Sequence, residues 1–247
     1  MNLVNRENRP ICLVFPMGME MAPFMRRVEV KSRWTRGKAT YRIVYFEGRL
    51  LLTVRCGIGP VRAAAAIKTL EIEPSAVIAA GAAGSLVEDA YIGGLVVATE
   101  TVWADGVDSP LPCDPSIVAR LARACEAEAT PARSCRVVTA DRAVFAPESR
   151  RRLHRDSSAH AVDMESHAIA LEARKLGVPF SALRVLSDDM RSPELPERIR
   201  KIGRNNLAGI SRHLAALWRW SRFIRDFRRV VELLPPILIR FVRETPR

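Results

Sequence analysis

The sequence predicts an α/β fold: a mixed, largely parallel sheet covered by helices on both faces. Three observations point there. Short runs such as "ICLVF" (11–15) and "SAVIAAGAAGSL" (75–86) are apolar throughout, as strands buried on both sides must be. Helical patterns alternate with these runs. Several apolar runs end abruptly in polar residues, the position at which covered sheets gather ligands. At 247 residues the chain can bury one sizeable core.

The elements follow in order. Residues 11–15 form the first strand and lead into Met17-Gly18-Met19-Glu20. Residues 41–46 and 50–56 form a hairpin turned at Glu47-Gly48-Arg49. In "GIGPVRAAAAIKTLE" (57–71) the glycines make a tight turn and Pro60 opens an Ala-rich helix. Residues 75–86 and 93–102 are strands, 115–128 a helix and 136–139 a strand. A strand ending near Asp163 passes straight into a helix reaching about Leu176. "PFSALRVLSDD" (179–189) is a strand ending in polar residues, and a long helical region starts near Pro196. The division expected is a domain over 1–211 and a basic amphipathic extension over 212–247.

The net charge of +12 suggests an anionic partner. Nine Arg against Asp226, Glu232 and Glu244 place half of that excess after residue 211, so no basic groove across the fold is required and no nucleic acid is expected. In the extension Leu217, Trp220, Ile224, Phe227, Val231 and Leu234 make one apolar stripe amid arginines, and Pro235-Pro236 stop the helix. That stripe suits the core, a second subunit or an anionic membrane surface. The five cysteines are scattered without a CxxC pair, as packed thiols would be, and no histidine spacing suggests a metal. Neither a leader nor a spanning segment is visible, so the expected location is cytoplasmic, with peripheral membrane contact through the tail. There is no Walker loop, and "GIGPVR" is half a dinucleotide fingerprint. No cofactor is expected.

The order "PMGMEM … CGIG … GAAGSL … VDMESHAIA … LRVLSDD" resembles the purine nucleoside phosphorylase superfamily. It is most similar to the 5'-methylthioadenosine/S-adenosylhomocysteine nucleosidases, over roughly residues 10–210. The resemblance implies a mixed sheet closing into a distorted barrel flanked by helices. It also implies cleavage between ribose C1' and a purine nitrogen, for an adenine-type nucleoside, by acid–base catalysis without metal. Carried over by position, Asp188 protonates N7 and Ser187 orients it. Glu20 activates water, Arg184 places that water, and Glu165 accepts hydrogen bonds from the ribose diol. Met164 lies along the sugar, Phe145 stacks on the base, and Gly81-Ala82 belong to the glycine turn of the site.

Two departures matter. Hydrolytic relatives carry Ser where this chain has Ala82. Phosphorolytic relatives carry Arg just before the glycine turn, where this chain reads Ala79-Ala80-Gly81-Ala82. Hydrolysis is the leading expectation, with phosphorolysis and non-catalytic nucleoside binding as alternatives. A homodimer is implied by resemblance only. "VDMESHAIA" also resembles the hopanoid-associated branch, which together with the tail suggests a lipid-linked adenosine such as adenosylhopane.

Overall fold

The structure, a computed structural model, describes residues 9–192 and 224–245. The helical region expected from Pro196, and the part of the apolar stripe before Ile224, lie outside the described residues. The strands are β1 (Ile11–Phe15), β2 (Glu29–Arg36), β3 (Ala39–Phe46), β4 (Arg49–Arg55), β5 (Ala76–Ser85), β6 (Leu95–Trp103), β7 (Leu111–Pro112), β8 (Ala132–Thr139), β9 (Ala161–Asp163) and β10 (Phe180–Asp188). The helices used below are α1 (Gly18–Met25), α2 (Pro60–Lys68), α3 (Pro115–Ala127), α4 (Pro147–Ser157), α5 (Ser166–Lys175) and α6 (Leu234–Glu244).

One sheet runs in the order β10-β6-β8-β9-β5-β1-β4-β3-β2, and β10 also pairs with β5. That second pairing closes β5, β10, β6, β8 and β9 into a five-stranded barrel, from which β1, β4, β3 and β2 extend as an arm. The expected barrel is therefore present. β2 and α4 were not foreseen.

Alternation along the strands explains why they are apolar throughout. Cys12 and Val14 of β1 join Val77 and Ala79 of β5 in one cluster, packed against Ala63, Ala66 and Ile67 of α2 and Ile169 of α5. Leu13 and Phe15 join Ile78 and Ala80 in the other, against Phe24 of α1 and Leu121 of α3. Both faces are buried, so neither can be polar.

β5 is the strand that makes the site. It pairs with β10 along most of its length. Its other edge is shared: β1 pairs with Ala76 to Ala79, and β9 only with Gly84 and Ser85. Residues 80–83 lie between those two pairings. The chain leaving β1 as α1 passes this gap, and the chain leaving β9 as α5 starts beside it. A strand edge vacated where two neighbours diverge is where a sheet of this kind can admit a ligand.

The end of the chain is a correction. Residues 224–231 are helical, and Pro235-Pro236 then stand in the first turn of α6, starting a second helix as well as ending the first. Phe227, Val231, Leu234, Leu238 and Phe241 all enter the same buried cluster as α1 and α3. From Phe227 onward the apolar stripe is covered by the core, so this part is not the face that meets a membrane. Two of its arginines find partners within the protein: Arg240 donates to Glu128 at 2.8 Å and Arg243 to Glu47 at 2.8 Å. No helix among the described residues is long and apolar enough to cross a membrane. The Phe241 ring is fully buried, with the Arg120 guanidinium 4.9 Å from its centre. Phe241→Ala is expected to cost about 3–5 kcal/mol of folding stability, read by denaturant titration. A loss below about 1 kcal/mol would show that the last helix does not hold the core together.

Candidate active site

Two glycines of β5 organise the site. A Cβ on Gly81 would lie 2.7 Å from both Arg184 Nη1 and Glu20 Oε1, and a Cβ on Gly84 would lie 3.0 Å from Asp188 Oδ2. Only glycine leaves room for these charged groups to approach the strand. Three residues of strand put the two positions roughly 10 Å apart.

Glu20 sits in the first turn of α1. Its Oε2 accepts from the Met17 N–H at 2.7 Å, closing the helix start, and its Oε1 accepts from the Ala82 N–H at 2.8 Å. Thus the acid of an ordinary helix start also satisfies a backbone donor in the vacated stretch of β5. It is 2 % exposed. Burial pushes its pKa up to about 7, against the pull of the Ala82 N–H, the Arg184 cation and the Met17 N–H.

Arg184 is fully buried, with apolar residues on both sides of it in β10, which demands a counter-charge. Asp163 supplies it, 2.8 Å from Nη2, and Ser166 Oγ accepts from Nη2 at 2.9 Å. Nη1 is buried with no hydrogen-bond partner. It and Glu20 Oε1 face the same point above Gly81, no more than twice 2.7 Å from each other.

Asp163 does more than balance Arg184. Its Oδ1 accepts from Thr139 Oγ1 at 2.7 Å and from the N–H groups of Glu165 and Ser166 at 3.1 and 3.2 Å. It fixes the start of α5 and the Arg184 fork together. The hint in the sequence was the arginine itself: a cation inside an apolar strand requires an acid at a neighbouring strand end.

Glu165 immediately precedes α5 and is 4 % exposed. Its Oε1 accepts from the Gly59 N–H at 2.8 Å. Gly59 has φ +100°, so the "GIG" turn serves to aim that N–H. Burial raises the Glu165 pKa, as does Asp163, while Arg184 and the Gly59 N–H oppose the rise. Met164, beside it, is half-buried. His167 is a packed residue, fully buried, with Nδ1 3.0 Å from Thr101 Oγ1 and its ring edge-on to Trp103. Among the described residues no cluster of His, Cys, Asp and Glu could hold a metal ion.

At the second glycine, Ser187 Oγ donates to Asp188 Oδ1 at 2.8 Å. The other oxygen is held by Arg150, which sequence reasoning missed. Phe145 is half-buried on the loop before α4 and belongs to none of the apolar clusters. The structure thus gathers Glu20, Gly81, Ala82, Arg184 and Glu165 by shared contacts, and Ser187 with Asp188 at the next glycine. It gives Phe145 and Met164 no polar contact. A cavity of about 270 Å³ lined by Phe46, Glu47, Arg49, Val242 and Arg243 lies away from these residues.

Known proteins share this arrangement of the chain. A 5'-methylthioadenosine/S-adenosylhomocysteine nucleosidase of Anoxybacillus flavithermus is 27% identical over 197 residues, covering 72% of this chain and 84% of its own. The solved futalosine hydrolase of Helicobacter pylori superposes with a TM-score of 0.79 at 19% identity, covering 98% of this chain and 100% of that one. An aspartate-to-asparagine variant of the Helicobacter pylori nucleosidase, solved with 5'-methylthioadenosine in its active site, superposes at 0.77 with 20% identity, covering 96% and 100%. The family model described as the phosphorylase superfamily matches residues 10–216, most of the chain, and to that superfamily the chain belongs.

Proposed function

We propose that the protein is a purine nucleoside N-ribosidase, hydrolysing the C1'–N9 bond of an adenine-type nucleoside. One observation carries this reading. Two buried carboxyl groups, Glu20 over Gly81 and Asp188 over Gly84, stand against two glycines of the same strand, one inside the vacated stretch and one just beyond it. Such a pair suits a reaction in which electrons flow into the leaving base while water attacks the sugar. Asp188, oriented by Ser187, delivers a proton to N7 as the C1'–N9 pair moves into the purine. Glu20 takes a proton from the attacking water, and Arg184 Nη1 donates a hydrogen bond to the same water. Glu165, beside Met164, receives the ribose diol: a carboxyl group can accept from one hydroxyl and, when protonated, donate to the other. Phe145 supplies a face for the base.

Hydrolysis is favoured over phosphorolysis by the charge around Gly81. Among the described residues the cation against Gly81 is Arg184 Nη1, and it faces the Glu20 carboxyl group. A phosphate dianion at that point would meet a like charge wherever Glu20 is ionised. The N-terminal neighbours Ala79 and Ala80 contribute no cation. Ala82 removes a hydroxyl that could hold the water, but its N–H fixes Glu20.

Met17, Ile58 and Met164 adjoin the site groups in the chain, and Ile58 is 44% exposed, which suits an apolar substituent at C5'. A lipid-linked adenosine such as adenosylhopane belongs to that class, although the packed tail from Phe227 onward no longer argues for it. Val61 and Val107, 81% and 78% exposed, are apolar surface that a second copy in a homodimer would cover.

The test is base release from methylthioadenosine, adenosylhomocysteine, adenosine and inosine, with and without phosphate. Phosphate-independent adenine release is expected. Strict phosphate dependence would make the protein a phosphorylase, and binding without release a non-catalytic member.

A further inference from the structure

Arg150 is the one buried residue of α4, at 1 % exposure. Its neighbours Arg151 and Arg152 are exposed and pair with Glu88 and Asp156. Helix periodicity turns only Arg150 inward, on the stripe shared with Leu153, His154 and Ser157.

Every donor group of its fork is engaged. Nε donates to the Val144 carbonyl at 3.0 Å, and Nη1 to the carbonyls of Ser85 at 3.2 Å and Asp189 at 3.0 Å. Nη2 pairs with Asp188 Oδ2. One guanidinium therefore joins four places: the end of β5, the end of β10, the loop carrying Phe145, and the carboxylate placed opposite the leaving base. Gly84 makes the joint possible, because a Cβ there would stand 3.3 Å from Arg150 Nη2 as well as 3.0 Å from Asp188 Oδ2.

We propose that Arg150 is a positioning residue for the base-protonating step, acting through Asp188 and through the Phe145 loop. The inference rests on Asp188 being the acid. With Oδ1 taking the Ser187 hydroxyl and Oδ2 taking Arg150, the Asp188 carboxylate has a single rotation and is an acceptor at both oxygens. To hand a proton to a purine nitrogen it must first take one up, and the proton it gains competes with the guanidinium for the same group. Arg150 thereby sets the conditions under which Asp188 becomes a donor. A proton that loosens its grip on Oδ2 loosens the tie to the carbonyl preceding Phe145 as well. The groups facing Asp188 are Arg150 from α4, Gly84 from β5 and Ser187 from its own strand; the Asp189 side chain is turned to Ser192.

Arg150→Met and Arg150→Gln remove the charge, Gln keeping an amide donor for the carbonyls; Arg150→Lys keeps the charge and loses the fork. The carbon-13 signal of the Asp188 carboxyl, assigned by its loss in Asp188→Asn, reads the coupling without any substrate. At a fixed pH near neutrality that signal is expected to move in both neutral variants, because Oδ2 loses its charged partner, with Lys holding near wild type. In the nucleoside assay kcat is expected to fall about tenfold or more in the neutral variants, by a larger factor than KM rises. An Asp188 carboxyl signal unchanged between wild type and Arg150→Gln, or an unchanged kcat, overturns the proposal. Should Arg150→Met not fold, by circular dichroism, Arg150→Gln carries the same expectation. Absence of cleavage by the wild type would remove the N-ribosidase reading, and the carboxyl signal would still decide the role of Arg150.

Discussion

Glu20→Gln is expected to slow base release by roughly 10²–10⁴-fold, the usual contribution of a positioned general base. The substitution preserves shape and removes the proton-accepting charge. It also has a structural consequence that must be measured separately. Both carboxylate oxygens accept from backbone N–H groups, those of Met17 and Ala82. A glutamine can offer one carbonyl oxygen, so its NH₂ must confront one of these donors. The unsatisfied pair should cost about 1–3 kcal/mol. Melting by circular dichroism therefore accompanies the rate measurement, and the activity loss is counted on folded protein.

The same residue predicts a pH dependence. With its pKa pushed up to about 7 by burial, Glu20 is protonated below that value and cannot accept a proton from water. The wild-type kcat/KM is expected to rise with pH through about 7, and the residual rate of Glu20→Gln should not show that rise. A wild-type profile that is level from pH 6 to 8 would take Glu20 out of the base role.

These carboxylates were legible in the sequence because desolvating charge is costly. An apolar strand that ends on Glu, Asp or Arg signals something to be held there. β9 and β10, both ending on Asp, announced themselves in this way; β1 did so through Glu20 five residues beyond its end, and β5 through its glycines. β2 did not. "EVKSRWTR" is an exposed edge strand whose charged residues look like a solvated loop, and Trp34 reveals its role only when stacked on Tyr41 of the next strand, 5.5 Å away. Arg150 was equally silent, since three consecutive arginines in a polar helix give no sign that one turns inward. The terminal stripe was read correctly as a face to be covered. Periodicity tells that a face is apolar, not what covers it, and here the cover from Phe227 onward is the protein's own α1 and α3 side chains.

Asp188→Asn is expected to lose base release by a larger factor than it loses nucleoside binding. The amide keeps an acceptor oxygen but has no acidic proton to give N7, so the leaving base would depart as an anion. Binding should persist, because the ribose contacts proposed for Glu165 and Met164 and the face offered by Phe145 are untouched. The substitution also breaks the buried pair with Arg150, for which about 3–5 kcal/mol is the usual penalty. Part of that loss should be recovered here, because Arg150 keeps three carbonyl acceptors, on Val144, Ser85 and Asp189. The decisive comparison is calorimetric binding of methylthioadenosine beside turnover, both below the variant's melting temperature. A dissociation constant within about tenfold of the wild-type KM, with kcat down about 10²-fold or more, fits an acid that acts in the transition state rather than in binding. Equal losses in both would make Asp188 a binding residue, and near-normal turnover would remove it from the chemistry.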